Sequence, residues 1–249
     1  MGAKVTVGDI NPPPISHDSL TFHKTDVTSW PSLSALFAAA PSPISHVFAN
    51  AGISGRTNYL DEKFDADGNL LEPAFTTLDV NLRGVVNTAA LAIHYFRKQG
   101  GEGSVVLTAS ASAYQRFRVP DYATAKHGVL GFMRGMVPTL ASANLANIRV
   151  NAVAPSWTRT GIVPEELLKA IGAASQGPEA VARSVAYLMA QKDRVRQVVY
   201  SDQGRFWEIE EAILLPAARS VLPPGTEDED ETTRKLMAFR DGHGVPEAK

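Results

Sequence analysis

Apolar and polar positions along the chain separate into short strand-like runs and longer helix-like stretches. The apolar or β-branched runs are "AKVTV", "SLTFH", "SHVFA", "GSVVLTAS", "NIRVNAVAPS" and "RQVVYS". Between them, stretches such as "LRGVVNTAALAIHYFRKQ" place apolar residues at helical spacing, here at Val85, Ala89, Ala92 and Phe96. This alternation predicts an α/β fold, a Rossmann-like doubly wound sheet with largely parallel strands.

The predicted strands end in small and polar residues. The segments that follow them are "GDIN", "KTDVT", "ANAGIS", "TASAS" and "APSWTRT". In an open parallel sheet, ligands bind in the crevice beyond the carboxyl ends of the strands. The sequence therefore predicts a ligand site at that edge of the sheet.

The chain divides into one domain and a tail. We expect a single domain over residues 1–222, with a surface insertion at "DEKFDADGNLLEP". The segment "LPPGTEDEDETTRK" is acidic and bounded by prolines, a composition typical of solvated chain. Residues 223–249 are therefore expected to be a disordered or loosely packed acidic tail.

Composition narrows the functional classes. The 249 residues are 44% hydrophobic and 20% charged, with a net charge of −2, which argues against a nucleic-acid or anionic-membrane partner. The absence of cysteine excludes a disulfide scaffold and thiolate chemistry. No apolar stretch is long enough to cross a bilayer, and no signal-peptide pattern is present, so we expect a cytoplasmic protein. We expect no metal site.

Tyr122 and Lys126 are the first candidates for chemistry. They are four residues apart at the start of a predicted helix, so their side chains share one face. An ammonium group beside a phenol favours the phenolate, which predicts a pKa of Tyr122 below its usual value of about 10 and a general acid or base. Tyr59 and Lys63 have the same spacing without a preceding strand, and for them an ordinary surface is expected.

Ser110 supplies a second hydroxyl. It follows the buried-type strand "SVVLT", and the loop after that strand can return its side chain to the crevice near Tyr122. Two hydroxyls that converge on one substrate oxygen would stabilise developing alkoxide charge. Ser112 is a weaker candidate for that role, and either serine could instead cap the following turn.

These motifs, taken in order, resemble the classical short-chain dehydrogenase/reductase family from residue 3 to about residue 209. The resemblance implies that Tyr122 exchanges the hydroxyl proton while Ser110 holds the substrate oxygen. It implies that Lys126 lowers the tyrosine pKa and binds the nicotinamide ribose. The segment "DVNLRGV" resembles the family helix whose asparagine, here Asn81, holds a water in the proton relay.

The same resemblance implies a nicotinamide dinucleotide cofactor. "DV" corresponds to the adenine contact, "ANAG" to the segment beside the adenosine ribose, and "NAVAPSWTRT" to the border of the nicotinamide. Besides Tyr122 and Lys126, the implied cofactor residues are Asp26, Val27, Asn50, Ala51, Gly52, Pro155, Trp157 and Thr158.

Asp9 indicates which dinucleotide is preferred. It ends the strand "KVTVGD", where the family often places a carboxylate against the ribose diol, and a carboxylate there would repel a 2′-phosphate. The sequence therefore favours NAD over NADP. An aspartate at a strand end can also simply start a turn.

The family's first strand, glycine-rich turn and first helix have no counterpart before "MGAKVTVGD", so we expect an N-terminally truncated fold with the first βα unit missing. Removal of a central strand would leave two unpaired inner edges. We therefore expect residues 4–8 to move across and pair with "HVFAN", with the triple proline forming a connection without a helix.

Two functions follow. The first is an NAD(P)-dependent oxidoreductase that interconverts a secondary alcohol and a ketone on a small apolar molecule, as a homodimer or homotetramer. The second is a non-redox protein on the same scaffold, either a cofactor-free isomerase or lyase or an inactive binding partner, which the absent phosphate-binding loop motivates.

Overall fold

The computed structural model describes residues 2–243 and contains seven strands in two sheets. The strands are β1 (Val5–Asp9), β2 (Leu20–Lys24), β3 (His46–Ala49), β4 (Gly103–Thr108), β5 (Ile148–Pro155), β6 (Val198–Asp202) and β7 (Arg205–Glu208). The helices are α1 (Trp30–Ala39), α2 (Thr76–Leu78), α3 (Gly84–Lys98), α4 (Pro120–Ser142), α5 (Glu165–Ala170), α6 (Pro178–Ala190), α7 (Leu215–Arg219) and α8 (Glu229–His243).

The larger sheet has the order β3-β4-β5-β6-β7. Its first four strands are parallel, and β7 returns antiparallel to β6. Strands β4 and β5 are buried almost throughout, as expected of central strands covered by helices on both faces. The predicted α/β fold with a parallel central sheet is confirmed.

Helices α3, α4 and α6 cover this sheet. The apolar stripe of α3 is buried as its periodicity predicts, and the ring of Phe96 lies directly over Gly103 at the start of β4. On α6, Val185 and Leu188 pack with Val106, Val153 and Val199 of the sheet. This packing fixes the carboxyl ends of β4 and β5 where the predicted site residues begin.

Strands β1 and β2 form a separate two-stranded parallel sheet, in which Val5 pairs with Leu20 and Asp9 with Lys24. The prediction that residues 4–8 pair with the strand at 46–49 is therefore wrong. In the described part of the chain, β1 pairs only with β2 and β3 only with β4.

Helix α1 explains why β1 does not pair with β3 of the large sheet. Its Leu36 side chain lies against Gly8 of β1, and its Phe37 ring contacts Tyr95 of α3 at 5.5 Å between ring centroids. The small sheet is thus held beside the large one through a helix and not through a shared ladder. The connection from β1 to β2 contains no helix, as the triple proline predicted.

The chain forms two compact units, one ending at Glu208 and the other beginning at Ile209, whereas we expected a boundary at residue 222. The second unit contains a π-helical turn (Glu210–Leu214), α7 and α8. Residues 229–243 are helical and residues 232–239 are exposed, where a disordered or loosely packed tail was expected, and residues 244–249 of that expected tail lie outside the described residues.

Local charge placement accounts for α8. The Asp228 carboxylate accepts a hydrogen bond from the N–H of Glu231, which satisfies one of the free donors at the helix start. Glu231 also pairs with Arg234 one turn later. Acidic residues in the first turn complement the helix dipole, so the acidic composition that suggested disorder here stabilises a helix.

Within residues 2–243, no helix is both long and apolar enough to cross a membrane. The same residues contain no cluster of three or more histidine or acidic side chains that could hold a metal ion.

Candidate active site

Lys126 is the buried centre of the site. It lies in α4 with 2% of its surface exposed, and its Nζ donates a hydrogen bond of 2.8 Å to the carbonyl of Thr108 at the end of β4. The ammonium is 5.5 Å from the centroid of the Tyr122 ring. Burial disfavours the charged form and lowers the pKa of Lys126 to about 8.

Tyr122 lies one turn before Lys126 on the same face, as the spacing predicted. Its pKa is raised above the usual value because burial disfavours the phenolate, while a hydrogen bond with the Ser110 hydroxyl acts in the opposite direction. The prediction that Lys126 lowers this pKa is therefore wrong for this structure. The lysine contacts the ring, and it is itself poor at holding charge in this buried position.

Ser110 is the serine that contacts Tyr122. Its hydroxyl also accepts a hydrogen bond from the N–H of Ser112 and caps the short 3₁₀ turn Ala111–Ala113, so the capping role is real as well. Ser112 is buried, and its own hydroxyl has no hydrogen-bond partner among the described residues. The geometry thus favours Ser110 as the second hydroxyl of the site.

Asn81 lies in a π-helical turn (Asp79–Arg83) between α2 and α3 and is fully buried. Its amide clamps the loop after β3: Oδ1 accepts from the N–H of Ile53, and Nδ2 donates to the Ile53 carbonyl, each at 2.8 Å. A Cβ on Gly52 would fall 3.4 Å from Asn81 Oδ1 and 3.8 Å from Lys126 Nζ. Gly52, Asn81 and Lys126 therefore meet at one point of the crevice.

The strand ends of β3 and β4 are tied together beside that point. Thr108 donates its hydroxyl hydrogen to the side-chain carbonyl of Asn50 at 3.1 Å, while its backbone carbonyl accepts from Lys126. Ala51 is half-buried between Asn50 and Gly52. The predicted "ANAG" segment thus lies next to the predicted lysine.

The segment after β5 supplies aromatic surface. Pro155 ends β5, Thr158 is held by a hydrogen bond to the Ser156 carbonyl, and Trp157 is 42% exposed. The ring of Phe117 lies between two others, with centroids 6.1 Å from Tyr122 and 6.0 Å from Trp157. The structure therefore brings the "APSWTRT" segment close to the tyrosine.

Three of the predicted cofactor residues lie at the small sheet. Asp9 ends β1, and Asp26 and Val27 follow the end of β2. The exposed carboxylate of Asp9 accepts the N–H of Asn11, and that of Asp26 accepts the N–H and hydroxyl of Thr28, which lowers the pKa of Asp26. Both aspartates therefore start turns. Val27 lies against Gly84 at the start of α3, one helical turn after Asn81.

Asp121 was missed by the sequence analysis. Its buried carboxylate accepts hydrogen bonds from the N–H groups of Arg56 at 2.9 Å, Thr57 at 3.2 Å and Tyr122 at 2.8 Å. Burial raises its pKa, but interactions of the charged form with the Thr77 side chain and with these three N–H groups outweigh burial and lower the pKa. The signal that could have identified it is an acid in the first turn of a helix that begins with proline.

Gly55 lets that loop approach α4. A Cβ there would fall 2.0 Å from a methyl group of Val119 and 2.5 Å from Asp121 Oδ1, so no larger residue fits. The other tyrosine and lysine with this spacing, Tyr59 and Lys63, lie outside any helix, and Tyr59 is exposed, so they do not form a second pair of the Tyr122–Lys126 kind.

Comparison with known proteins agrees with this geometry. The model of a protein family described as short chain dehydrogenase matches residues 3–170. The short-chain dehydrogenase/reductase ascJ of Acremonium egyptiacum is 44% identical over 247 residues, covering 95% of this chain and 83% of its own. The short-chain dehydrogenase/reductase prx4 of Penicillium roqueforti is 40% identical over 192 residues, covering 75% of this chain and 57% of its own.

Solved structures show the same architecture. Levodione reductase superposes with a TM-score of 0.60 at 27% identity, covering 74% of this chain and 76% of its own. A 4-hydroxyisoleucine dehydrogenase complexed with NADH and succinate superposes with a TM-score of 0.66 at 20% identity, covering 81% of this chain and 88% of its own, a likeness of fold.

Proposed function

Since this chain belongs to the short-chain dehydrogenase/reductase family, we propose that it is an NAD(P)-dependent oxidoreductase that interconverts a secondary alcohol and a ketone. The single observation that carries the proposal is the contact of Tyr122 with both Ser110 and Lys126 at the ends of the central strands. A hydroxyl pair beside a cation is suited to moving a proton to or from a substrate oxygen.

The crevice fits the nicotinamide end of a dinucleotide. Gly52 leaves the space that a side chain would fill, and Asn81 and Lys126 border that space. Lys126 and Tyr122 would hold the ribose hydroxyls, and Pro155, Trp157 and Thr158 would border the ring. When bound, the nicotinamide supplies hydride chemistry that the protein's own side chains lack.

The adenosine end is assigned to Asp9, Asp26, Val27, Asn50 and Ala51, with NAD preferred over NADP because Asp9 is acidic. Within residues 2–243 no glycine-rich turn joins a strand to a helix in the way that cradles a pyrophosphate. The proposed binding of a dinucleotide therefore depends on the residues around its nicotinamide end.

Tyr122 acts as the acid in ketone reduction. A phenol with an ordinary pKa of about 10 is protonated at neutral pH, and burial raises the pKa of Tyr122 further, so the hydroxyl can donate its proton to the carbonyl oxygen of the substrate. Ser110 donates a second hydrogen bond to the same oxygen and stabilises its developing charge. Lys126 fixes the position of the ring, since its ammonium lies 5.5 Å from the ring centroid and is itself held by the Thr108 carbonyl.

The test is a titration with NADH and with NADPH, followed by nicotinamide fluorescence, and turnover of a panel of simple ketones. We expect NADH to bind, and Tyr122→Phe to reduce kcat by about 10²- to 10⁴-fold, a much larger effect than the loss of one ribose contact has on NADH affinity. Tyr187→Phe is the control, because the Tyr187 ring lies on α6 and packs against Phe206, and the residue is assigned no part in the site. Equal activity of Tyr122→Phe and the wild type would disprove the proposal.

We further propose a homodimer or homotetramer assembled through α3 and α4. Small residues on these helices, Ala90 on α3 and Ala123 on α4, would permit close contact between copies. Light scattering coupled to size-exclusion chromatography tests this proposal, and a monomer at micromolar concentration would contradict it.

A further inference from the structure

A cavity of about 570 Å³ lies beside the first turn of α4, outside the cluster around Tyr122 described above. Two chain segments line it: residues 55–60, which follow β3, and residues 118–120, which lead into the helix. Pro120 begins α4, and Tyr122 lies in the same first turn. The cavity therefore lies at the start of the helix that carries the proposed catalytic residue, two positions before it in the chain.

Two arginines make this cavity cationic. Arg56 and Arg118 both contribute to its lining, one from each segment, and both side chains are exposed. Among residues 2–243, no carboxylate forms an ion pair with either guanidinium. The buried Asp121 carboxylate is already occupied by the backbone N–H groups of Arg56, Thr57 and Tyr122. Two guanidinium groups without an ion-pair partner on one concave surface favour an anion.

The rest of the lining is mostly apolar. Tyr59, Leu60, Val119 and Pro120 contribute to it, and the side chain of Asn58 is engaged by Asp61. A fully hydrated inorganic anion gains little from such a wall. An organic anion binds through two favourable contacts. Its charged group contacts the arginines, and its apolar body covers the aromatic and aliphatic side chains.

The two lining segments are held together by the fold. Gly55 is in close contact with Val119, and Asp121 fixes the backbone of Arg56 to the start of α4. A site whose two walls are already fixed to one another loses little freedom when a ligand binds.

We propose that this cavity binds the anionic end of the substrate, so that the enzyme acts on a keto acid or hydroxy acid with an apolar body. The carboxylate lies at Arg56 and Arg118, while the oxygen that reacts lies at Tyr122. This inference rests on the proposed oxidoreductase function and deepens it by naming the substrate class.

The experiment compares acids with neutral compounds of the same shape. The probes are 4-acetylbenzoate and 4′-acetylbiphenyl-4-carboxylate, which span two distances between carbonyl and charge, and the corresponding amides. Their binding to the full chain is measured by saturation-transfer NMR and calorimetry, and their reduction with NADH is measured by steady-state kinetics. We expect at least one acid to exceed its amide by about fivefold or more in affinity and in kcat/KM, as one charge-assisted contact at a half-open site provides.

Arg118→Gln is the test variant and Arg116→Gln its matched control. Arg116 is an exposed arginine of the same loop, two positions earlier, and it does not line the cavity. We expect Arg118→Gln to reduce the preference for the acid through a higher KM with unchanged kcat, because Arg56 remains, while Arg116→Gln leaves the preference intact.

The outcomes separate the two proposals. Arg118-dependent binding of the acid without any hydride transfer would support this cavity assignment and overturn the oxidoreductase function. Reduction of acid and amide at equal rates would support the function and overturn the cavity assignment, as would equal effects of the two arginine variants. A loss of NADH affinity in Arg118→Gln, with acid preference unchanged, would also overturn it, because the cavity would then serve the cofactor's phosphates.

Discussion

The Lys126 ammonium donates a hydrogen bond of 2.8 Å to the carbonyl of Thr108, and this contact fixes α4 to the carboxyl end of the central strand β4. The hydroxyl of the same threonine is bonded to Asn50 at the end of the neighbouring strand β3. One buried cation thus organises two strand ends and lies beside the ring of Tyr122. The cost of keeping that cation buried gives the first prediction.

Replacement of Lys126 by Met should change how stability depends on pH. The pKa of Lys126 falls from 10.5 to about 8 on folding, so between these values the unfolded chain binds more protons than the folded one. The wild type should therefore gain stability relative to Lys126→Met as the pH rises from 8 to 10.5, by up to about 3 kcal/mol. Below pH 8 the difference between the two proteins should be constant.

Urea unfolding at pH 7, 8, 9 and 10 measures this difference. The comparison with the variant cancels the titration of every other lysine and tyrosine. A difference that stays flat across the whole range would mean that Lys126 keeps an ordinary pKa in the folded chain.

Asp121→Asn should loosen the loop that borders the site. The carboxylate accepts three backbone N–H groups, and an amide can accept on only one of its two terminal atoms. We expect a loss of about 2 kcal/mol in the free energy of unfolding at pH 7. Because the pKa of Asp121 is lowered in the folded state, this contribution is present above its ordinary pKa and disappears as the pH falls through the lowered value.

Chemical unfolding of wild type and variant between pH 7 and pH 3 checks both statements. Asp61→Asn is the control, since Asp61 is an exposed aspartate whose described side-chain partner is Asn58. An equally small effect of both substitutions would show that Asp121 does not hold the loop.

The elements themselves could be predicted from the sequence because their signals are local. The stripe of α3 repeats at helical spacing, and Tyr122 and Lys126 share a face at any position where a helix forms. The neighbour of β1 could not be predicted in this way. Its apolar residues suit either β2 or β3, and the choice depends on α1, whose Leu36 contacts Gly8.

The pKa of Tyr122 shows a second limit. Spacing places a cation next to the phenol, but the extent to which the pair is removed from water depends on strands and loops far away in sequence. Asp121 shows the same limit, because its partners Arg56 and Thr57 belong to a distant loop. The order of the motifs predicts which residues form the site, and their protonation depends on how deeply the fold buries them.

Asp9→Asn should weaken the preference for NADH over NADPH. Asp9 is exposed at the carboxyl end of β1, and its charge would repel a 2′-phosphate placed there. Removal of one unscreened charge at contact distance in water is worth about 1 kcal/mol, so we expect the ratio of the two affinities to change about fivefold. Asp18→Asn, in the connection that follows, is the control, and an unchanged ratio in Asp9→Asn would place the adenosine ribose elsewhere.

Gly103→Ala should destabilise the central sheet, while Gly131→Ala should not. A Cβ at Gly103 would fall 2.4 Å from the ring of Phe96, which is fully buried and cannot retreat, and overpacking of this kind costs about 1–3 kcal/mol. At Gly131 in α4 a Cβ meets nothing within 4 Å, so the higher helix propensity of alanine should stabilise the chain by about 0.5–1 kcal/mol. Thermal and urea unfolding of the two variants should therefore move in opposite directions. A shift of the same sign in both would mean that Phe96 does not pack on the start of β4 as described.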